Sequence, residues 1–294
     1  METSTPLHRP VLLTEVREWL HPELGQVVVD GTLGDGGHSE MFCEMVGPKG
    51  LVIGIDRDPE ALPAASNRLH RFGNVFRAVH GNFKDAPRLA LSVTKRPVDR
   101  VLLDLGWSTT QFMVRGRGFS FLTNEHLDMR FDPTEESESA AEIVNGYKKE
   151  ELVKIFRLYG EEPQAEKIAE AIVRARMREP ITTTQQLANV IVSVAPRHGK
   201  IHPATQVFQA LRIAVNDELS VLHDALEAIT DFVPSGARIG IITFHSLEDR
   251  IVKRFVSMRK DVVSLTKKPV APTLEEIRDN PRSRSSKLRI FEKK

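Results

Sequence analysis

The sequence has a single cysteine, no long apolar run and almost no net charge. One cysteine, Cys43, excludes an intramolecular disulfide and any multi-cysteine metal site. No run approaches the ~18 apolar residues of a membrane span. Residues 1–9 are polar and lack the apolar centre of a signal peptide. These absences predict a cytoplasmic protein in a reducing setting, without a membrane segment.

The net charge of +1 does not by itself suggest a nucleic-acid partner, but the charge is unevenly distributed. Residues 250–294 contain 14 Lys and Arg against 5 Asp and Glu, a net charge of +9, which leaves −8 for the preceding 249 residues. A basic segment on an acidic body favours a polyanionic partner. An ordinary solvated basic surface is the alternative.

A buried strand and a glycine-rich turn come early in the chain. Residues 27–30 begin with three β-branched apolar residues, which is typical of a strand buried on both faces of a parallel sheet. Four glycines follow within seven residues, and Ser39 is predicted to cap the next helix. The turn lacks the G-x-G-x-x-G spacing of dinucleotide sites. Its N–H groups could contact a cofactor, or its glycines could serve a tight turn alone.

Asp56 favours the cofactor interpretation of this turn. It ends the second predicted strand about 20 residues after the turn, where an acid binds ribose hydroxyls in nucleotide-binding α/β folds. Helix capping is the structural alternative, although Asp58 before Pro59 suits that role better. Phe83, after the third strand, would then flank an adenine ring, and its alternative is an ordinary core position.

The order of predicted elements indicates an α/β fold with a helical insertion. Strands alternate with helices early in the chain, which predicts right-handed crossovers and a parallel sheet, whereas only helices are predicted between residues 111 and 202. The predicted strands are 27–30, 51–56, 75–79, 98–103 and 238–244, with two in the tail at 262–266 and 287–291 that are joined by a Pro-containing loop. The predicted inserted helices are 140–144, 149–158, 165–178 and 185–194, and one long helix, 204–232, returns to the sheet.

Two further strand ends carry candidate catalytic residues. Asp104-Leu-Gly-Trp107 has the spacing of the Asp/Asn-Pro-Pro-aromatic loop of amino-group methyltransferases, in which an acceptor keeps lone-pair density on the amine and an aromatic face holds the base. Asp104 could instead contact a cofactor, and Trp107 could be core. His245 and Glu248 follow the fifth strand and could line the same pocket, whereas Ser246 and Asp249 suit a capping box. The spacing of the histidines predicts no metal site.

A series of colinear motifs resembles one known family. The chain is similar, over about residues 8–290, to the bacterial ribosomal RNA small-subunit methyltransferase H family. The motifs that carry the resemblance are His8-x-Pro-Val-Leu-Leu, Asp30-Gly-Thr-x-Gly-x-Gly-Gly-His38, Ile55-Asp-Arg-Asp58, His80-Gly-x-Phe83, Leu102-Leu-Asp-Leu-Gly106, Arg117-Gly-Phe-Ser-Phe121, Leu127-Asp-Met-Arg130, Tyr159-Gly-Glu161, His202-Pro-Ala-Thr205, Phe208-Gln-Ala-Leu-Arg-Ile213-Ala-Val-Asn216, Phe244-His-Ser-Leu-Glu-Asp-Arg250 and Asn280-Pro-Arg-x-Arg284-Ser-Ser-x-Leu-Arg289.

The resemblance implies S-adenosylmethionine as cofactor and N4-methylation of a decoding-centre cytidine in 16S rRNA of the small ribosomal subunit. It implies a class I methyltransferase fold: a Rossmann-like, mainly parallel seven-stranded sheet with an inserted all-helical domain. The cofactor-binding domain is expected at residues 1–110 and 204–294, and the substrate-recognition insert at 111–203. Oligomeric state stays open, a homodimer included. The resemblance carries cofactor contacts onto Gly36, Gly37, His38, Asp56, Phe83, Asp104 and Gln111; Asp104, Trp107 and His245 are the catalytic candidates.

The departures from the family pattern lie beside the expected base pocket. Trp107 stands where a small aliphatic residue is usual, and Phe112-Met113 follows Gln111 in place of Leu-Asp. Two alternatives therefore stay open: a DNA amino-methyltransferase, which shares the chemistry, and a non-catalytic RNA-binding or ribosome-assembly factor that retains the fold. A nicotinamide oxidoreductase is disfavoured by the missing glycine fingerprint, and a Ser-His-Asp hydrolase by the missing G-x-S-x-G elbow.

Overall fold

The computed structural model describes residues 10–106, 116–195 and 202–294. The chain divides into two compact units, one of Met1–Ser108 with Leu219–Lys294 and one of Thr109–Glu218. We call them the sheet unit and the helical unit. The expected boundary at residues 203 and 204 differs from this division, because the helix that begins at Ala204 groups with the helical unit.

The sheet unit is built on seven strands in the order β3-β2-β1-β4-β5-β7-β6. β1 to β5 are parallel, and β7 is antiparallel to both β5 and β6. The order reverses direction between β1 and β4, which is the switch point where ligands bind in open α/β sheets. The strands are β1 Val27–Asp30, β2 Leu51–Asp56, β3 Phe76–His80, β4 Arg100–Asp104, β5 Arg238–Thr243, β6 Val262–Ser264 and β7 Lys287–Lys293.

Helices cover both faces of this sheet. Alternate strand side chains enter two separate cores: Val27 and Val29 face one, and Val28 faces the other. This explains the unbroken apolar run of β1, which is buried throughout. Helices α1 Leu13–Leu20, α2 Gly37–Val46 and α3 Ala61–Leu69 pack against one face, and α4 Ala86–Val93, α10 Glu218–Phe232 and α11 Ser246–Met258 against the other.

The helical unit contains five helices among its described residues: α5 Ala140–Gly146, α6 Lys149–Gly160, α7 Ala165–Arg176, α8 Thr184–Val194 and α9 Ala204–Asn216. Thr183 and Gln186 form a capping box at the start of α8. Asn216 ties the irregular segment before α5 to α9, since it accepts the Phe131 N–H at 2.9 Å and donates to the Met129 carbonyl at 2.8 Å. Within the part of the chain that the structure describes, no helix has both the length and the apolar character for crossing a membrane.

Three local predictions were wrong. The single helix predicted over 204–232 is two helices, because Asp217 adopts a left-handed conformation with φ 50° between α9 and α10. Ser39 does not cap α2; Gly36 holds the N-cap position and Ser39 is buried inside the helix. The tail between β6 and β7 is not a plain loop, since it contains the short helix α12 Leu274–Asp279, whose Glu276 accepts the Leu12 N–H at 2.7 Å.

Candidate functional site

The glycine-rich turn after β1 is held by the acid at the end of β2. The Gly34 N–H donates to Asp56 Oδ2 at 2.7 Å, and the Asp58 N–H donates to Asp56 Oδ1 at 2.9 Å. Gly34 has φ +51°, and a Cβ built there would meet nothing within 4 Å, so the turn presents bare backbone to open space. Gly36 has φ +79° and no room for a side chain, because its Cβ would lie 3.0 Å from Leu69.

Asp56 is therefore a structural residue as well as a candidate acceptor. Each carboxylate oxygen has two lone-pair directions, so this group is of the type that can accept from the hydroxyls of a ribose. Phe83 begins a 3₁₀ turn after β3 and packs partly against the core beside β1. Both residues are thus in the sheet unit at the carboxyl ends of their strands, as the sequence predicted for a nucleoside site.

The neighbouring ends of β1 and β4 hold two more acids. Asp30 is buried and accepts the Ser39 hydroxyl at 2.7 Å and the Thr32 N–H at 3.3 Å. Asp104 accepts the Gly106 N–H at 3.0 Å, and its own N–H donates to the Thr32 hydroxyl at 2.7 Å. Thr32 links the two strand ends. Sequence reasoning did not assign a role to Asp30 or Thr32, although both belong to the first motif after β1.

These two acids resist ionisation. Burial is the main cause that raises the pKa of Asp104 to about 7; the Gly106 N–H lowers it, and the nearby charges of Asp30 and Glu248 also raise it. Burial likewise raises the pKa of Asp30 to about 6, although the hydrogen bonds from Ser39 and Thr32 lower it. A concentration of negative charge at the switch point suits a cationic ligand, which would favour the ionised form of Asp104.

His38 lies between the N-terminal segment and Asp104. The side chain is buried, and Nε2 is 3.0 Å from the Val11 carbonyl, to which it must donate. Nδ1 is then 3.8 Å from Asp104 Oδ2, too far for a hydrogen bond but close enough for a charge interaction. Gly37 is the first residue of α2 and precedes His38 directly, so the start of this helix and the end of β4 share one site.

The residue pair after β5 has a clear structural role. His245, not Ser246, is the N-cap of α11: its ring accepts the Glu248 N–H, and Glu248 Oε2 accepts the Phe244 and His245 N–H groups at 2.7 and 3.2 Å. Glu248 is buried. His245 Nε2 lies 3.0 Å from Glu248 Oε1 but is not aligned for a hydrogen bond. The Glu248 carboxylate of this capping box, at the start of α11, thus adds negative charge near Asp104.

Several predicted residues lie elsewhere or outside the described part of the chain. Trp107 and Gln111 belong to residues 107–115, which the structure does not describe. Arg117 and Arg130, which belong to two of the colinear motifs, make internal contacts. Arg117 is buried and donates to the Phe131 carbonyl at 2.8 Å, and Arg130 donates to both carboxylate oxygens of Asp128.

The basic segment at residues 250–294, called the tail below, is part of the sheet unit. Ion pairs within this unit neutralise some of its positive charge. Arg259 bonds to Glu227, Asp231 and Asp261, and Arg289 pairs with Asp249 at 2.7 Å. On α11 and beyond it, the exposed cations whose side chains have no partner among the described residues are Lys253, Arg254, Lys260, Lys267, Lys268 and Arg284. The surface that can bind a polyanion is therefore only a part of residues 250–294, the basic segment for which the charge pattern predicted it.

The strand order, the antiparallel seventh strand and the acid-bound glycine turn at the switch point define the fold of the class I, S-adenosylmethionine-dependent methyltransferases. Residues 5–294 match the MraW methylase family, and the chain belongs to that family. It is accordingly a methyltransferase by family.

Relatives of similar length support the assignment. The chain is 46% identical to the ribosomal RNA small subunit methyltransferase H of Persephonella marina, over 96% of this chain and 98% of that one. It is 45% identical to the protein of the same name from Thermomicrobium roseum, over 97% and 93%. A solved structure of a putative rRNA-methylase from Clostridium thermocellum is more distant, with 12% identity and a TM-score of 0.46 over 96% and 95% of the chains.

Proposed function

We propose that this protein transfers a methyl group from S-adenosylmethionine to N4 of a decoding-centre cytidine in 16S rRNA, on the small ribosomal subunit in the cytoplasm. The family and the names of its relatives support methylation of small-subunit rRNA. The structural observation that carries the proposal is the juxtaposition, at one sheet edge, of the turn held by Asp56 and the half-buried carboxyl of Asp104.

The residues present fit the cofactor. The open backbone at Gly34 and the carboxylate of Asp56 at the end of β2 suit a ribose, and Phe83 suits the adenine beside it. S-adenosylmethionine supplies an electrophilic methyl group on a sulfonium, whose positive charge favours ionised Asp104. The proposed contacts are Gly36, Gly37, His38, Asp56, Phe83, Asp104 and Gln111.

Asp104 also has a proposed role towards the cytosine. The N4 amine is conjugated to the base and is a weak nucleophile, so an acceptor for its N–H keeps lone-pair density on nitrogen as the N–C bond forms. The proton then leaves N4 towards this carboxylate. A sulfonium donor would need no general acid, because its leaving group is a neutral thioether. Positioning of the amine therefore contributes most of the rate. Trp107 is the proposed platform for the base, and His245 the proposed wall of its pocket.

The helical insert, residues 111–203, is the proposed rRNA-recognition domain, and it acts with the exposed cations of the tail. Exposed Lys and Arg side chains bind phosphates without sequence preference. Base selection would then come from the pocket beside Asp104.

The test is methyl transfer from tritiated S-adenosylmethionine to small subunits of a strain that lacks the gene, with duplex DNA as a parallel substrate. The expected result is label in rRNA that digests to N4-methylcytidine. Label in duplex DNA alone would establish the DNA amino-methyltransferase alternative. Binding to small subunits without any label would establish a non-catalytic factor.

A further inference from the structure

A groove in the helical unit carries two arginines that its fold does not use. The α7–α8 groove has a volume of about 240 Å³ and is lined by Ala171, Arg174, Ala175 and Arg178 from α7 and its end, and by Val190, Ser193 and Val194 from α8. Its floor is apolar, and its rim carries the two guanidinium groups and a hydroxyl. This volume is below the range of about 300–1,000 Å³ typical of small-molecule pockets, so the groove suits part of a larger ligand.

Arg174 and Arg178 are both exposed and lie four residues apart, so they share one helix face. Neither side chain makes a hydrogen bond or ion pair with any residue that the structure describes. Other arginines of this unit do have such partners: Arg176, between them, donates to the Val144 carbonyl at 2.7 Å, and Arg157 pairs with Glu166 at 2.8 Å.

The partial negative charges at the two helix ends are too small to neutralise both Arg174 and Arg178. The C-terminal ends of α7 and α8 line the groove, and each contributes a partial charge of about −0.5. Two guanidinium groups exceed that sum, which leaves the groove positive. Met177, which directly follows the end of α7, is 81% exposed. A cationic rim beside exposed apolar surface matches a ligand with phosphates and flat, partly apolar rings.

We infer that the α7–α8 groove binds the substrate RNA, with Arg174 and Arg178 on successive phosphates and a nucleoside against the apolar floor. The inference rests on the proposed function, since it takes rRNA as the substrate. Arg matches phosphate geometry with a planar fork of donors and stacks on bases, which a Lys cannot do. The groove is an RNA contact within the helical unit and uses no residue assigned to the cofactor or to the reacting base.

The experiment compares Arg174→Ala/Arg178→Ala with Lys148→Ala/Lys154→Ala, which removes the same charge from exposed positions of the same unit. Methyl transfer is measured on small subunits and on protein-free 16S rRNA at several salt concentrations. In the arginine variant, the salt dependence of RNA binding should weaken by about 1.4 in log–log slope, the value for two single-strand phosphates. KM should rise about tenfold at about 50 mM salt, and this penalty should shrink several-fold by about 200 mM. The kcat value and S-adenosylmethionine affinity should stay unchanged.

Each outcome separates the hypotheses. Arg174→Lys/Arg178→Lys should restore the salt slope but only part of the KM, because the charge returns without the fork. If both alanine variants behave alike, the groove is not an RNA site. A loss seen only with intact small subunits identifies a protein partner and also overturns the inference. If the unmodified protein methylates neither substrate, the proposed function fails, while direct RNA binding by the variants still tests the groove.

Discussion

The acids of the sheet edge and the arginines of the α7–α8 groove are charged groups in opposite situations. Asp30 and Asp104 are held by short hydrogen bonds within the fold, and both have pKa values raised by burial. Arg174 and Arg178 are exposed and have no partner among the described residues. The fold thus fixes the positions of the first pair and leaves the second pair to a ligand.

This difference corresponds to two kinds of recognition. Carboxyls fixed by the backbone and partly desolvated act on one small ligand in one geometry, because reorganisation has been completed during folding. Exposed cations act additively on an extended polyanion and are screened by salt. The carboxyl ends of β1 and β4 therefore have the features of a catalytic site. The α7–α8 groove and the exposed cations of the tail have those of a docking surface. The four predictions below test this contrast.

The largest loss of cofactor affinity is expected at the acid that holds the glycine turn. Asp56→Ala removes the acceptor for the Gly34 N–H and the proposed ribose acceptor together. S-adenosylmethionine affinity should fall at least about 100-fold, which corresponds to roughly 3 kcal/mol. Calorimetric titration measures it. The matched control is Asp99→Ala, which removes an acceptor for the Val27 N–H at the opposite end of β1 and should leave affinity within about twofold.

Asp104 should make stability and cofactor binding depend on pH in opposite directions. Because its native pKa is raised to about 7, the folded state binds the proton more tightly than the unfolded chain, so stability falls as pH rises from about 4 to about 7. The full contribution is up to roughly 4 kcal/mol. Cofactor affinity should rise over the upper part of the same range, as the carboxylate forms.

Denaturant titrations of Asp104→Asn and the unmodified protein at several pH values measure the first effect, and calorimetry the second. The variant should lack the pH dependence of cofactor affinity and should keep only the part of the stability dependence, between about pH 4 and about pH 6, that Asp30 contributes. A variant that keeps the pH dependence of S-adenosylmethionine affinity would show that another group faces the sulfonium.

The hydroxyl bound to Asp30 should matter for stability more than for chemistry. Ser39→Ala leaves a buried carboxyl without its 2.7 Å donor and should lower the free energy of unfolding by about 1–3 kcal/mol. Ser257→Ala removes an exposed hydroxyl that donates to the Arg254 carbonyl, and it should change stability by less than about 0.5 kcal/mol. Equal effects in chemical denaturation would mean that burial of Asp30 does not depend on this bond.

The smallest effect is expected from the exposed cations of α11. Deleting the tail would not test them, because β7 lies between β5 and β6 in the sheet. Lys253→Ala/Arg254→Ala should instead lower the salt slope of RNA binding by about 1.4 and leave the fold intact. Arg259→Ala should instead lower stability and leave the salt slope of RNA binding unchanged, because it removes three internal ion pairs. A filter-binding series at several salt concentrations distinguishes the two.

Much of the fold could be predicted because the signals are local. An unbroken apolar run predicts β1, and the helical spacing of apolar residues predicts α6 to α8. Both patterns can be read without knowledge of distant contacts, and the structure confirms these four elements. The errors occurred where a local signal has two uses. Ser39 matches a cap in sequence but donates to Asp30 in the structure, and Asp217 breaks a helix that its neighbours would continue.

The same distinction applies to the glycine turn and the acids around it. The sequence alone determined that a turn follows β1, that an acid ends β2 and that another ends β4, because strand ends and glycines are visible in the residue order. Only the tertiary structure decided that Asp56 holds Gly34, that Thr32 joins β1 to β4, and that the half-buried Asp104 lies near the buried Asp30. Those contacts join residues 22 to 74 positions apart, and their distances and desolvation exist only when the sheet has formed.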